Sequence, residues 1–197
     1  MNSAVLLIDL QRDFLAGPGA RLPVSEKGTA AVLTIANEIL QRRLLPDAVP
    51  IMIANEYSPD AAVMNALRRD AAIVGSRGAD LDARLADSHH VARFSKSSGN
   101  AFTNPNLDKY LERNGIEHLY VLGVKAEACV KATVMAAIRR GYRVTVIANA
   151  VASSSDWLVG VALWLMQRGG AEIVQMVPAH KTSANWTDSK LAVGPNT

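Results

Sequence analysis

The chain is poor in the features that define several classes of protein. It has one cysteine among 197 residues, so a disulfide framework within the chain is excluded. No apolar run approaches the roughly 20 residues that a membrane-spanning helix needs, which predicts no membrane partner. Histidine occurs only four times, and none of the four has the partner spacing of a metal site. We therefore expect no bound metal and no cofactor.

The chain also lacks a concentrated basic surface. Its net charge is +3, and its 21 lysines and arginines are scattered along the sequence. The densest pairs, Arg42-Arg43, Arg68-Arg69 and Arg139-Arg140, fall near the ends of predicted helices, where they complement the helix dipole. No basic tract is interleaved with aromatic residues, so we expect no nucleic-acid partner. The N-terminus enters a strand at once, which predicts no signal peptide and, with the single cysteine, a cytoplasmic protein.

Short β-branched runs alternate with helical periodicity along the chain. The first run, residues 4–9, is apolar up to its last residue, which is typical of a strand buried on both faces. Six strands are predicted, at residues 4–9, 49–54, 91–94, 119–122, 144–148 and 173–177. Helices are predicted between them, at residues 29–45, 60–70, 105–114, 129–141 and 156–168.

Strands that alternate with helices predict an α/β fold with a parallel sheet covered on both faces. Right-handed crossovers restrict it to a doubly wound, Rossmann-like sheet of six strands, for which we expect the order 3-2-1-4-5-6. We predict a single domain over residues 1–180 and an irregular tail at residues 181–197. The active site of such a sheet lies beyond the carboxyl ends of its strands. Residues 57–90 are the least regular segment and are a candidate for a loop over that site.

The single cysteine, Cys129, lies between a predicted strand that ends in a glycine turn and the start of a predicted helix. Unpaired backbone N–H groups and the positive end of the helix dipole stabilise a thiolate in that setting. We therefore expect a reactive sulfur. The alternative is a small apolar residue buried in a core, which is the usual fate of a free cysteine.

Two charged residues lie at equivalent positions beyond other strands. Asp9 closes the first predicted strand, and Lys96 follows the third. A doubly wound sheet can bring both to Cys129, and the three form a workable hydrolytic set of general base, stabilising cation and nucleophile. Backbone N–H groups of the turn before the helix can stabilise an oxyanion. Alternatively, Asp9 caps a turn and Lys96 is a surface charge.

These segments together resemble the isochorismatase-like cysteine hydrolase superfamily. The resemblance covers nearly the whole chain. The order and spacing of its motifs together are more specific than any one motif alone. The matching segments are residues 7–14, the glycine-containing loop 75–81, the lysine motif 96–102, the nucleophile motif 123–130 with Thr133, and 149–153 after the fifth strand.

The resemblance implies a catalytic triad of Asp9, Lys96 and Cys129. It also implies a cis peptide bond before Lys125, with the oxyanion received by the backbone N–H groups of Lys125 and Cys129. Gln11 and Phe14 match family positions near the substrate pocket, where Phe14 would supply an apolar wall.

Departures from the family pattern narrow the chemistry. Nicotinamidases of the family carry an Asp-x-His metal motif after the second strand, where this chain reads Asn55-Glu56-Tyr57 with no histidine nearby. Members that cleave isochorismate generally lack the nucleophilic cysteine, which Cys129 supplies here. We therefore favour a metal-independent cysteine hydrolase that cleaves a C–N bond of a small amide, carbamoyl or ureido compound. The alternatives are an isochorismate-type vinyl-ether hydrolase and a catalytically silent member that binds a ligand.

The last predicted helix is apolar around much of its circumference. Trp157, Val161 and Trp164 are among its large apolar residues. A helix of this kind must be buried, either in the core or against a partner. Because the core covers only one face, we expect a homo-oligomer whose interface includes this helix.

Overall fold

The structure, a computed structural model, describes residues 2–178, so the predicted tail at 181–197 lies outside the described residues. Within that part of the chain, six parallel strands form one sheet with the order β3-β2-β1-β4-β5-β6, which confirms the predicted doubly wound topology. The strands are β1 (Asn2–Ile8), β2 (Val49–Asn55), β3 (Ala92–Lys96), β4 (Ile116–Val124), β5 (Arg143–Ala152) and β6 (Glu172–Val174).

Helices connect the strands, and side chains cap several of their first turns. The helices are α1 (Glu26–Leu40), α2 (Ala62–Leu67), α3 (Pro105–Arg113), α4 (Lys131–Arg139) and α5 (Asp156–Arg168), with a 3-10 turn at Ala101–Thr103 and a π-helical turn at Ala126–Val130. The side chains of Ser25, Asn104 and Ser155 accept hydrogen bonds at the starts of α1, α3 and α5. None of the helices found in residues 2–178 is long and apolar enough to cross a membrane.

The sheet separates two hydrophobic cores, which explains why β1 is apolar at every central position. Leu6 and Ile8 pack into the core that includes residues of α3, α4 and α5. Val5 and Leu7 pack into the other core, with residues of α1. Successive side chains of a strand point to opposite faces, so a strand with a core on each side has no position for a polar residue.

Several element boundaries differ from the predictions. Helix α1 ends at Leu40 rather than at residue 45, because Arg42 and Leu45 take the left-handed conformation with φ of 59° and 49°. Strand β5 extends to Ala152, four residues beyond the predicted end. After a register shift between Val121 and Gly123, its extension pairs with the end of β4.

Candidate active site

Asp9, Lys96 and Cys129 come together at the carboxyl edge of the sheet. Asp9 follows β1 directly, Lys96 is the last residue of β3, and Cys129 lies in the π-helical turn after β4. The Lys96 Nζ lies 3.0 Å from the Asp9 Oδ2, and both side chains are buried. Asp9 takes a left-handed φ of 54°, a conformation that aspartate tolerates better than most residues. The site is thus assembled from three strand ends that are far apart in sequence.

A fourth polar residue, Asn55, contacts all three, and the sequence reasoning missed its part in the site. It is the last residue of β2, and its Nδ2 donates to Asp9 Oδ2 at 2.6 Å and to Cys129 Sγ at 3.5 Å. Its Oδ1 accepts from Lys96 Nζ at 2.8 Å. A polar residue that ends an apolar strand is the signal that pointed to Asp9, and the same signal identifies Asn55.

The buried charges of the site are compensated by close partners. Lys96 Nζ donates to Asp9 and Asn55 and to the Ser98 carbonyl oxygen at 3.1 Å, so three acceptors surround the ammonium. Such partners are needed because an unpaired buried charge is costly. Burial raises the pKa of Asp9 above its ordinary value of 3.8, and the positive charge of Lys96 opposes that rise. The Asp9 carboxylate is therefore more basic than an exposed one.

The two oxygens of Asp9 are not equivalent. Oδ2 accepts the hydrogen bonds from Asn55 and Lys96. Oδ1 is buried and accepts neither of these two bonds. The carboxylate is thus held by one oxygen, and the other is available to take a proton.

The Cys129 thiol is protonated near neutral pH. Burial raises its pKa to about 12, the charge of Asp9 adds to the rise, and Lys96 opposes it. This direction is opposite to the thiolate expected from the helix N-terminus, and its largest cause is the loss of hydration on burial. Attack by this sulfur therefore needs a base that removes the proton as the bond forms.

The turn that carries Cys129 begins with a cis peptide bond between Val124 and Lys125, at the place that the family resemblance implied. Just before it, Gly123 has a φ of 127° and lies directly against the backbone of Ile8 in β1. A Cβ at this position would collide with the Ile8 carbonyl oxygen, so only glycine fits. The close approach brings the Cys129 turn to the end of β1, where Asp9 follows.

A cavity of about 180 Å³ opens onto the thiol. It is smaller than the roughly 300–1,000 Å³ of pockets for drug-sized ligands, so it suits a small compound. Phe14 lines it and supplies an apolar wall, as expected. The complete set of lining residues is Asp9, Phe14, Leu22, Asn55, Tyr57, Arg68, Lys125, Ala128 and Cys129.

Gln11 lies outside this lining set and is fully buried. Its Nε2 donates to the carbonyl oxygens of Asn55 and Ala79, each at 2.7 Å, and its Oε1 accepts from the Asn55 N–H at 2.8 Å. The side chain therefore fixes the backbone of Asn55 beside the loop that contains Ala79.

The irregular segment 57–90 contributes two residues to the cavity wall. The Arg68 guanidinium stacks on the Tyr57 ring, with 4.0 Å between the guanidinium carbon and the ring centroid. Burial raises the pKa of the Tyr57 hydroxyl, as do the nearby Cys129 and Asp9. The segment therefore forms part of the site.

The residues present do not form the metal site of family nicotinamidases. The Asn55 amide is already bonded to Asp9 and Lys96, and Tyr57 is covered by Arg68. Among the residues that the structure describes, no group of three histidine, cysteine, aspartate or glutamate side chains is placed to hold an ion. Of the four histidines, His180 lies outside that range.

Comparison with known proteins agrees with the fold. The isochorismatase domain matches residues 3–176 of this chain. A relative from Arabidopsis thaliana, described as a probable inactive nicotinamidase, is 27% identical over 164 residues, which are 78% of this chain and 82% of that protein. An N-carbamoylsarcosine amidase from an Arthrobacter species is 33% identical over 86 residues, 44% of this chain and 31% of that protein.

A solved structure has a similar fold. The pyrazinamidase of Pyrococcus horikoshii, in complex with zinc, superposes with a TM-score of 0.77 at 25% identity, over 89% of this chain and 100% of that chain. The domain match covers most of the sequence, and the sheet order is the one predicted from the alternation of strands and helices. This chain belongs to the isochorismatase family of hydrolases.

Proposed function

We propose that this protein is a metal-independent cysteine hydrolase that cleaves a C–N bond of a small amide, carbamoyl or ureido compound. Family membership and the amidase among its relatives support amide hydrolysis in general. The finer assignment gives Cys129 the role of nucleophile, Asp9 that of general base and acid, and Lys96 that of a cation that orients Asp9.

In the first half-reaction, Asp9 Oδ1 takes the thiol proton as Cys129 Sγ bonds to the substrate carbonyl carbon. The carbonyl oxygen becomes an oxyanion that the backbone N–H groups of Lys125 and Cys129 stabilise. Asp9 then gives the proton to the leaving nitrogen as the C–N bond breaks. An amine or ammonia departs, and a thioester remains on the sulfur.

In the second half-reaction, a water molecule attacks the thioester carbon and passes a proton to Asp9. The C–S bond breaks, the acid or carbamate product leaves, and the sulfur recovers its proton from Asp9. Each proton that the carboxylate accepts is returned, so the cycle restores the starting enzyme. No step requires a metal ion or a cofactor.

The observation that carries the proposal is the asymmetric Asp9 carboxylate beside the thiol. Its Oδ2 is held by Asn55 and Lys96, whereas its buried Oδ1 accepts neither of these bonds. The Asn55 Nδ2 contacts both Asp9 Oδ2 and Cys129 Sγ, so the carboxylate and the thiol are neighbours. A base with a raised pKa next to a protonated thiol suits proton transfer during attack.

The test combines an ammonia-release screen with intact-protein mass spectrometry. Small amides, ureas and carbamoyl amino acids are screened with the wild-type protein, and rapid quenching is used to trap the acyl-enzyme. We expect Cys129→Ala to lose at least about 10⁴-fold in turnover and to form no adduct, with an unchanged circular dichroism spectrum. Full activity in Cys129→Ala would rule out the mechanism.

Two other results would favour the alternatives. Turnover of isochorismate that persists in Cys129→Ala would indicate a vinyl-ether hydrolase with an incidental cysteine. No turnover and no adduct over the whole panel would indicate a catalytically silent member that binds a ligand. The Arabidopsis thaliana relative is itself described as a probable inactive nicotinamidase.

A further inference from the structure

Two cations in the wall of the cavity have no acidic partner. Asp9 is neutralised by Lys96 behind it, whereas Arg68 and Lys125 also line the cavity. Neither of them forms an ion pair with any residue in the range 2–178. The cavity wall thus includes two cations that no ion pair neutralises within the described range, and a negative group on a ligand would be attracted to them.

The stacking of Arg68 leaves its hydrogen-bond donors unused. Its guanidinium lies over the Tyr57 ring at 4.0 Å, so one face of the planar group is covered. The N–H groups point outward in the guanidinium plane, and no side-chain hydrogen bond occupies them within residues 2–178. A planar fork of free donors matches the two oxygens of a carboxylate.

The chain around Arg68 is held firmly, so the guanidinium is not on a loose surface loop. Arg69, Asp70 and Ala72 all take left-handed conformations, which persist only where the surroundings impose them. The Asp70 carbonyl oxygen accepts from Arg21 Nη1 at 3.0 Å, and the Ala72 N–H donates to buried Asp13 Oδ2 at 2.8 Å. The segment that follows Arg68 is thus fixed from two sides.

We propose that the substrate carries a carboxylate and that Arg68 binds it, while the scissile carbonyl lies at Cys129. This inference rests on the proposed amide hydrolysis at the same site. A cavity of about 180 Å³ that both Cys129 and Arg68 line selects a short molecule that has an amide or ureido group at one end and a carboxylate at the other. The positive charge of Lys125 also attracts the carboxylate, but only the planar guanidinium of Arg68 can bind both carboxylate oxygens.

Binding is tested first, without chemistry, on the Cys129→Ala protein by calorimetry. The probes are three pairs of an acid and its neutral amide: succinamate and succinamide, malonamate and malonamide, and N-carbamoylglycine and N-carbamoylglycinamide. We expect at least one acid to bind about 10- to 100-fold more tightly than its amide, the range of a charge-assisted bidentate contact. Adding Arg68→Met should remove most of that preference.

Arg69→Met is the matched control, because it removes the same charge from the adjacent, exposed residue, which does not line the cavity. We expect it to keep the preference for the acid. Equal binding of acid and amide in all three pairs would overturn the proposal, as would a preference that survives Arg68→Met. A preference lost equally in Arg69→Met would mean a general field effect and would also overturn it.

Kinetics with the wild-type protein separate this inference from the proposed function. Hydrolysis of acids and amides at equal rates would refute the carboxylate site and leave the cysteine mechanism standing. Tighter binding of an acid that depends on Arg68, with no hydrolysis and no acyl-enzyme, would support the carboxylate site and refute the hydrolase. We expect both to hold, with Arg68→Met lowering kcat/KM for the acid by about 10- to 100-fold more than for the amide.

Discussion

Asn55 links the residues of the proposed triad. A buried lysine–aspartate pair repays its loss of hydration only when further hydrogen bonds satisfy both groups. The Asn55 amide supplies one bond to each charge and a longer one to the Cys129 sulfur. The residue that stands where nicotinamidases have a metal ligand therefore orients the charged pair.

Replacing Asn55 tests this role at the scale of a single residue. Asn55→Ala removes one buried hydrogen bond from Asp9 and one from Lys96, so we expect the free energy of unfolding to fall by about 1–3 kcal/mol. We also expect kcat to fall at least about tenfold, because the Asp9 carboxylate is no longer held in position. Urea unfolding and steady-state kinetics measure the two effects.

Asn149→Ala is the control for that prediction. Asn149 exchanges two hydrogen bonds with the backbone of Met176, far from the cavity lining, so its loss affects stability through the same kind of contact. We expect its kcat to stay within about twofold of wild type. An Asn55→Ala protein that is equally active would show that the amide has no positioning role.

The raised pKa of the thiol makes a second prediction at this scale. At neutral pH the thiolate fraction of Cys129, with a pKa of about 12, should be about a thousandfold below that of a cysteine with the ordinary value of 9.0. Alkylation by iodoacetamide should therefore be slow at pH 7 and should rise with pH through the whole accessible range. Mass spectrometry follows the label, because this is the only cysteine.

The reference for labelling is an exposed cysteine in the same protein. Ser154 is exposed, so S154C in the Cys129→Ala background provides an ordinary thiol. Faster labelling of Cys129 than of that reference at pH 7 would contradict the raised pKa and would support the thiolate expected at a helix N-terminus.

At the scale of elements, the site depends on how closely β4 passes β1. Gly123 lies against the backbone of Ile8. Ile8 directly precedes Asp9, and Gly123 lies six residues before Cys129. The spacing of these two strands sets how far the turn after β4 stands from the end of β1. A glycine in a strand often marks such a close backbone approach.

Gly123→Ala should disrupt this contact. The added Cβ meets the Ile8 carbonyl oxygen, and a φ of 127° is unfavourable for alanine. We expect a loss of at least about 3 kcal/mol in the free energy of unfolding. Gly160→Ala in α5, with no heavy atom near its Cβ position, should instead stabilise by about 0.5–1 kcal/mol. Denaturant titration compares them, and a mild loss at Gly123 would contradict the close-approach argument.

At the scale of the whole molecule, the two cores leave the outer face of α5 uncovered. Ala162 and Met166 are its buried residues, whereas Trp157 and Trp164 are 73% and 54% exposed and Val161 is also exposed. Large exposed apolar residues on one helix often mark an interaction site. The homo-oligomer expected from the sequence remains a prediction, and this face is its candidate interface.

Light scattering after size-exclusion chromatography tests that prediction. We expect an oligomeric wild type and a Trp164→Glu protein that shifts towards the monomer, because a charge would be buried without a partner. Val63→Glu in α2, at another exposed apolar residue, should leave the mass unchanged. A monomeric wild type, or dissociation by Val63→Glu alone, would remove α5 as the interface.

The order of strands and helices along the chain was enough to predict the topology and which strand ends meet. Apolar strands that alternate with helices leave few arrangements, and parallel strands bring their carboxyl ends to one edge. Asp9, Lys96 and Cys129 could therefore be placed together from their positions after β1, β3 and β4, since those positions are properties of the chain order.

The ionisation of these groups depends instead on contacts that form only in the folded protein. The pKa of Cys129 depends on burial and on Asp9, and the proposed role of Arg68 depends on a loop that Asp13 and Arg21 hold from distant parts of the chain. Hydration and electrostatic interactions act through space, and they connect residues that no local pattern relates. For that reason the candidate nucleophile is visible in the sequence, whereas its protonation state and the charge of its cavity are visible only in the folded protein.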